Sequence, residues 1–498
     1  MILIALNLHF QLSHFEFDLM KKINSFVLLL FTVLSVSSFG QSKKWTLEEC
    51  VNYAIQNNIT IKQTELDVRS TDVDKKAAIG NFLPTLNADA SHSWNIGLNQ
   101  NITTGLLENQ TSQFTSSGLR SNVDIYNGLQ NQNRLRRAKL SKVGAQFQLS
   151  KMKDDISLNV ANAFLQILFN KENIKVQNEQ LAFDEKQYKR TEELINAGSI
   201  PKGDLFDVKA TLAADRQRIV AAENALFLSK LSLAQLLQIA DFQNFDIVET
   251  TYNVKESAVS MQKPEDILAK AKQERVEIKI AKTNLEIAER DVKIAKGTYQ
   301  PLLSGFYSFS TRASYSDRVT GFELNASNPT TVIGQVDGTG QNVIQPNFTP
   351  VLGSPNSLFD QFSDNKGHSY GLQLNIPILN GFAARNNVTR SKIALERSKI
   401  FMQQAELDLE RNVYTAIADA RGALNSYESA VTALEAREAA FNYSKERFAV
   451  GIMNAFEFNQ AQTLFVNAQS EVLRAKYDYI FKIKIVEFYF GIPITTNN

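Results

Sequence analysis

The chain has 498 residues and one cysteine, Cys50. No intrachain disulfide and no cysteine zinc cage can form. Histidine is nearly as scarce. Of four in all, His9 and His14 lie near the start, which leaves only His92 and His368. Triads, metallohydrolase centres and kinase-type sites therefore lack their usual materials. Net charge is also close to nil, with 53 Lys+Arg against 52 Asp+Glu. That removes the electrostatic basis for nucleic-acid binding. Prolines (10) and glycines (22) are few, and their positions punctuate the chain. A single soluble core seldom exceeds roughly 250–300 residues, so several domains or an elongated form are expected.

The long apolar run needed for a membrane-spanning helix is missing too. The nearest is Phe26–Val36, preceded by Met20, Lys21 and Lys22 and followed by small residues up to Gly40. A basic start, a short apolar segment and a small-residue exit describe a secretory signal peptide. Residues 1–40 are thus expected to be a leader, cleaved after Gly40. Met20 is the expected true start, and residues 1–19 read as upstream sequence. No lipid-bearing cysteine stands at the cleavage site, and Cys50 falls in an amphipathic segment, so it is expected in a core. The mature chain is expected to be exported and to lack transmembrane helices.

What the chain does contain is a duplication. Gly80-Asn81-Phe82-Leu83-Pro84 resembles Gly297-Thr298-Tyr299-Gln300-Pro301 at an offset of 217. Ile125-Tyr126-Asn127-Gly128 resembles Ile378-Leu379-Asn380-Gly381 at 253, and Gly198 matches Gly451 at the same offset. The offset grows by 36 residues between the two markers, so the second copy carries a longer insert. Two repeats are expected, 41–263 and 264–498. Each begins with a helix of about 35 residues (46–80, 264–297). A strand pair follows (84–126, 301–379), then a very long helix (128–197, 381–450), then a shorter one (203–240, 454–490).

The long helices repeat apolar residues every seven positions. Val160, Ile167, Ile174, Leu181, Tyr188 and Ile195 form one seam. Val413, Ala420, Tyr427, Leu434, Phe441 and Phe448 form the other. A sustained heptad seam means left-handed coiled-coil packing against partner helices. The flanking helices, each near half the length, could stack end to end as that partner.

The Pro-marked segments alternate instead with period two. Leu303, Tyr307 and Phe309 share a face opposite Ser304, Ser308 and Ser310; Tyr370, Leu372 and Leu374 oppose Gln373 and Asn375. Apolar-out, polar-in strands of about ten residues, edged by aromatics, suit a transmembrane barrel. A pair of soluble hairpins lying on a core would alternate in the same way. Four strands cannot close a barrel, which needs about eight, and open edges are not tolerated in lipid. If these strands span a membrane, two or more chains share the barrel, with the loops 99–117 and 316–367 outside.

Taken in order, these features resemble the outer membrane efflux protein (TolC) family. The resemblance rests on Leu47-Glu48-Glu49-Cys50-Val51-Asn52-Tyr53-Ala54-Ile55-Gln56-Asn57-Asn58 after the leader and on the Asn-Gly junctions. It rests also on Arg447-Phe448-Ala449-Val450-Gly451-Ile452 with Phe456-Glu457-Phe458-Asn459-Gln460-Ala461-Gln462. It covers both repeats. It implies a mainly α chain with membrane β-structure: a coiled-coil α-helical barrel continuous with a 12-stranded β-barrel completed by a homotrimer, four strands per chain. It implies a passive duct with no enzyme chemistry, no cofactor and no metal. The expected partners are a periplasmic adaptor, an inner-membrane pump and outer-membrane lipid. The expected place is the outer membrane, with the helical tunnel in the periplasm.

The resemblance also implies roles at the helical tips. In the family, acids six and nine positions after the tip glycine narrow the tunnel's periplasmic entrance. Here those positions are Glu457 and Gln460, so the second acid is absent. The copy-one equivalents are Asp204 and Asp207. Met453 stands where the family can carry a basic gating residue. Gly451 is expected to end one helix and Asn454 to cap the next in a capping box with Glu457. Gly198, Pro201, Gly203, Gly451 and Asn454 are the expected adaptor-contact zone; plain turn geometry would use the same residues. The rival reading is a periplasmic coiled-coil adaptor or structural stalk, which has the helices but no duplicated strand pairs. An exported enzyme would need a convergent polar site, and none is visible.

Overall fold

The computed structural model describes residues 44–101, 105–250, 252, 254 and 262–492; the expected leader, 1–40, lies outside them. Element order begins with β1 (Lys44–Trp45), α1 (Leu47–Asn57), α2 (Ile59–Gly80), β2 (Thr85–Gln100), β3 (Leu107–Asn127), α3 (Gln130–Asn196), α4 (Gly203–Leu237) and β4 (Asp246–Ile247). It continues with α5 (Pro264–Glu274), α6 (Val276–Gly297), β5 (Leu302–Ser314), β6 (Arg318–Leu324), β7 (Thr330–Gln335), β8 (Asn342–Pro346) and β9 (Phe348–Gly353). Last come α7 (Leu358–Asp364), β10 (Gly367–Asn375), α8 (Ala383–Ala449) and α9 (Ala455–Tyr489). The helices α3 and α8 both have 67 residues, α4 and α9 both 35, and α2 and α6 both 22.

Two compact units result. One takes in the described parts of Met1–Glu65, Leu149–Val276 and Glu406–Asn498; the other is Leu66–Gln148 with Glu277–Ala405. The first is a helical bundle. Its core holds Val160, Phe164 and Ile167 of α3, Leu233 and Leu237 of α4, Tyr477 and Ile480 of α9, and Cys50 of α1. None of the twelve heptad residues is exposed. A small parallel ribbon, β1 with β4, edges this core; its two-residue strands are too short to show a period. Asp246 of β4 pairs with Lys171 at 2.8 Å and Lys230 at 2.9 Å. Burial works against its charge, but the hydrogen bonds from these two lysines outweigh it and hold the Asp246 carboxyl below its ordinary value. Among the described helices α4 alone is apolar enough by length and composition to cross a bilayer. Its positions Val208, Leu212, Ile219 and Leu233 are instead buried within the protein.

The first helix of each copy differs from expectation. It is broken in two, at Asn58 and at Arg275. Asn58 adopts ψ 130°, and its side-chain oxygen accepts from the Thr60 N–H at 2.9 Å, which restarts the helix. Its amide also donates to the Leu236 carbonyl, 2.9 Å away, so the break abuts the end of α4. Arg275 marks the second break and stacks its guanidinium on Phe488, 3.9 Å from the ring centroid, at the end of α9. The segments are thus docked end to end by side chains at each break.

The second unit is built on a four-stranded antiparallel sheet ordered β10-β5-β3-β2. Thr85 opposes Asn122 in one hairpin and Leu302 opposes Asn375 in the other. The offsets of 217 and 253 carry the first pair onto the second, so both hairpins have one register. Leu119 opposes Ala88 on one side and Phe309 on the other, and Tyr307 opposes Tyr370. One face of the sheet is therefore apolar across all four strands. The other carries Asp89 and Arg120, 4.0 Å apart, and Arg312 stacked on Phe114 at 3.6 Å. The expected loop 99–117 is mostly strand, because β2 runs to Gln100 and β3 starts at Leu107. The expected loop 316–367 also differs: it holds two ribbons, β6–β9 and β7–β8, and the short α7. Its alternating apolar residues (Val319, Phe322, Leu324 against Leu352, Pro350, Phe348) explain why it forms strands.

Asn58→Ala removes both the helix restart and the tie to Leu236. We expect it to lower unfolding stability by about 1–2 kcal/mol, measured as a shift in the denaturant midpoint of purified protein. A shift of zero would mean the break is held by packing alone.

Candidate functional site

The tips form as glycine-terminated helix ends. Gly198 and Gly451 have φ of +72° and +76°. Ser199 N donates to Leu194 O at 2.8 Å and Gly198 N to Ile195 O at 2.9 Å; Ile452 to Arg447 and Gly451 to Phe448 repeat the pattern at 3.0 and 3.2 Å. These are the paired bonds of a Schellman end. In the first tip Pro201 accepts from Asp204 N at 3.3 Å, and Gly203 opens α4. In the second, Asn454 accepts from Glu457 N at 2.8 Å. The expected capping box is only half made: the Glu457 carboxylate does not return to the Asn454 N–H. It projects to solvent because Ala455 and Phe458 take the buried face of α9.

Glu457 and Gln460 are both exposed, one turn apart on the same face of α9. Asp207 is exposed and Asp204 half-buried on α4. Among the described residues no side-chain ion pair engages these acids, so each tip offers carboxylates to solvent. The sequence reading missed the apolar neighbours. Val450, Ile452 and Phe456 are 69%, 68% and 73% exposed, and Phe206 is 70% exposed. Their signal was available: all four are apolar residues outside the heptad seam.

Behind the tips lies a polar layer that apolar periodicity could not reveal. Asn170, Gln177, Asp184 and Thr191 are all buried and spaced by seven along α3. Asp184 receives the Gln462 amide at 2.6 Å from α9 and the Gln180 amide at 2.5 Å. Its carboxyl also hydrogen-bonds Asp215 of α4, whose own neighbour Arg218 donates at 3.1 Å. Asp215 Oδ2 has no donor among the described residues. A second carboxyl beside a buried one disfavours its charge. Burial first, then the Asp184 hydrogen bond and charge, push the Asp215 carboxyl up to about 7, with Arg218 opposing. Phe183, Phe441 and Phe458 pack together where α3, α8 and α9 meet, with centroids 5.7–6.3 Å apart. Lys445 lies over Phe183 at 5.8 Å.

The sheet of the second unit carries polar and aromatic groupings of its own. His92 hydrogen-bonds Thr115 at 2.7 Å, and Thr115 bonds Tyr315 at 2.9 Å. Tyr307 meets His368 at 3.0 Å. Both histidines thus serve an aromatic belt on the apolar face, where Trp94, Ile96, Tyr370 and Leu372 are well exposed. No group of three metal-ligating side chains occurs among the described residues. The outer edges of β2 and β10 have no strand partner among them.

The family model for outer membrane efflux proteins matches residues 50–237 and 267–481. The chain belongs to the outer membrane efflux protein family. Outer membrane protein TolC of Vibrio cholerae is 22% identical over 68% of this chain and 68% of its own length. Protein CyaE of Bordetella pertussis is 25% identical over 56% of this chain and 50% of its own. Among solved structures the CusC channel aligns with a TM-score of 0.72 at 16% identity over 92% of this chain and 96% of that one. The CmeC outer membrane channel of Campylobacter jejuni gives 0.72 at 16% over 89% and 85%. This efflux protein is therefore an outer-membrane channel component with a TolC-type fold, not an enzyme. The apolar sheet face and the glycine-ended tips are this chain's own form of that fold.

The Asp184–Asp215 pair gives this efflux protein a pH dependence of defined sign. A carboxyl raised in the folded state stabilises fully below its unfolded value, about 4, and that contribution is lost as pH rises to about 7. We expect hydrogen exchange of the α3–α4 segment around the pair to quicken by up to about tenfold per pH unit across that window, after correction for intrinsic rates. Asp215→Asn, which mimics the neutral acid, should flatten the profile. Equal pH profiles in both proteins would show that Asp215 does not titrate in that window.

Proposed function

We propose that this channel protein is the exit duct of a tripartite efflux pump or a type I secretion system, a passive conduit from periplasm to exterior. The observation that carries the reading is the sheet: four strands, one apolar face, two unfilled edges. In lipid an open edge costs several kcal/mol per unsatisfied group, so further chains must complete the barrel. Eight strands from a dimer would leave an interior filled by side chains, whereas twelve from a homotrimer leave a pore. The family likeness supports three. The polar face with Asp89, Arg120 and Arg312 then lines the pore, and the aromatic belt meets the lipid boundary.

At the helical tips, three copies of Glu457 would converge with Gln460 around the periplasmic entrance, and Asp204 and Asp207 would join them from copy one. Converging carboxylates raise the local negative potential and favour cations. A periplasmic adaptor, itself linked to an inner-membrane pump, would dock on the tip turns at Gly198, Pro201, Gly203, Gly451 and Asn454. The exposed Val450, Ile452, Phe206 and Phe456 supply the apolar area such docking needs. Membership of the outer membrane efflux protein family supports the efflux role, and secretion would use the same duct.

The protein should fractionate with outer membranes and migrate as a trimer in detergent; a monomer in the soluble periplasmic fraction would refute the reading. Glu457→Gln should raise the half-blocking concentration of divalent cations roughly tenfold in planar-bilayer recordings. An unchanged block would remove Glu457 from the constriction.

A further inference from the structure

Charge is divided unevenly along the two long helices. On the sheet side, residues 130–148 of α3 carry five bases and no acid, and residues 383–405 of α8 carry five bases and one acid, Glu396. Beyond them, residues 149–196 and 406–449 together carry 12 bases against 16 acids. Neither helix has an acid in its first turn, although the positive end of the helix dipole favours one there. The ends of α2 and α6 abut the start of α3, and they add Lys75, Lys76, Lys293 and Lys296.

Part of this charge is answered within the protein. Arg137 pairs with Asp291 of α6 at 2.8 Å, and Lys142 with Asp72 of α2 at 2.6 Å. Lys399 reaches Glu396 on its own helix at 3.0 Å. Arg136, Lys139, Arg385 and Lys392 have no carboxylate partner among the described residues, and all four are exposed. The paired bases show which way α3 is turned. Arg137 faces α6 and Lys142 faces α2, so at 3.6 residues per turn Arg136, Lys139 and Val143 fall on a further face that meets neither. Equivalent apolar residues stand at the head of α3 and of α8: Leu129 is 50% and Phe382 64% exposed, at φ 60° and 64°. Left-handed residues other than glycine are uncommon, and nothing is gained by holding Leu and Phe that way in water.

We propose that this surface binds the anionic headgroups of phospholipids in the periplasmic leaflet, with Leu129 and Phe382 dipping into the apolar layer and Arg136, Lys139, Arg385 and Lys392 taking the phosphates. Distance and charge both fit. At about 1.5 Å per residue the four bases lie roughly 6–17 Å past the junction glycines, and a headgroup layer is about 5–8 Å deep. Both helices start at the sheet, and helical side chains lean towards the N-terminus. These long side chains therefore reach back towards the membrane and keep their charged ends in its polar layer. Bases placed so attract anionic lipid by about fivefold each. The strand acid nearest the junction, Asp124, opposes Ser304 on the polar face of the sheet, so it does not repel phosphate on the apolar side. The inference rests on the reading that the sheet spans the membrane; what it adds is a lipid preference and the residues that set it.

The test uses the full-length protein purified in a neutral detergent and mixed with micelles carrying phosphatidylglycerol or phosphatidylcholine; the lipid retained after gel filtration is measured. At low salt phosphatidylglycerol should be retained at least about tenfold better, and the preference should shrink as salt rises. A variant combining Arg136→Gln, Lys139→Gln, Arg385→Gln and Lys392→Gln should retain the two lipids equally. A control combining Lys186→Gln, Lys189→Gln, Arg421→Gln and Arg437→Gln, four exposed bases farther along the same helices, should keep the preference. Equal retention by the unaltered protein, a preference indifferent to salt, one that survives the first variant, or its loss in both variants refutes this surface and keeps the membrane reading. Retention of neither lipid by the unaltered protein refutes both. Displacement of phosphatidylglycerol by inorganic phosphate at matched ionic strength would show a phosphate site in place of a lipid surface. Independently, Leu129→Asn with Phe382→Asn, which suits the left-handed backbone, should lower retention of both lipids and leave their ratio unchanged. Undiminished retention would refute the apolar anchors.

Discussion

The constraint on which this protein depends is that backbone groups in lipid must be hydrogen-bonded within the protein. A four-stranded sheet satisfies every inner strand and leaves two edges. Most of the molecule's other features follow from that deficit. The apolar face is continuous because β2, β3, β5 and β10 share one register parity. The strand-to-helix junctions are narrow because backbone passes backbone there. At Gly128 a side chain would meet the Gly297 carbonyl, which only glycine avoids while also holding φ +67°. Leu129 and Phe382, the residues that follow these junction glycines, are left-handed as well, at φ 60° and 64°. Non-glycine residues bear a cost of about 1 kcal/mol in that conformation. Its recurrence in both copies shows that the turn from strand to helix needs it.

The helical bundle answers a different requirement. A helix of 67 residues, α3 or its equal α8, presents its seam over its whole length, and each of the other described helices, 35 residues at most, is too short to cover it alone. The partner column is assembled from pieces whose ends must be capped and aligned. Asn58 does this with hydrogen bonds, and Arg275 does it by stacking over Phe488. Two unlike side chains perform one structural task at equivalent positions. The polar layer inside the bundle has another consequence. Asn170 donates to the Ala225 carbonyl and Ser229, and Asp184 ties α3 to α9. Polar residues at heptad positions specify register at some expense of stability, which suits long helices that could otherwise slide.

Much of this was legible in the residues. The repeat markers, the heptads and the strand alternation all lie in local spacing, and local spacing is what sets helix and strand. The tip glycines were readable because one conformation demands them. Other features were not. The breaks at Asn58 and Arg275 interrupt segments whose periodicity runs straight through them, and they are decided by contacts with residues about 180 and 210 positions away. The Asp184–Asp215–Gln462 contact joins three helices, and buried acids look like surface acids in a sequence. The ribbons of the long insert hid in a segment rich in Gly, Asn, Pro and Ser, where turn-forming residues masked short alternating runs.

By itself the sequence determined the periods: seven along the helices, two along the strands, and one unit written twice. Those follow from backbone geometry and from which side chains avoid water. Tertiary structure decided which equivalent positions are filled and which stay open. A contact exists only when two distant segments reach each other, and they do so at the Gly128 junction but not at its twin, Gly381.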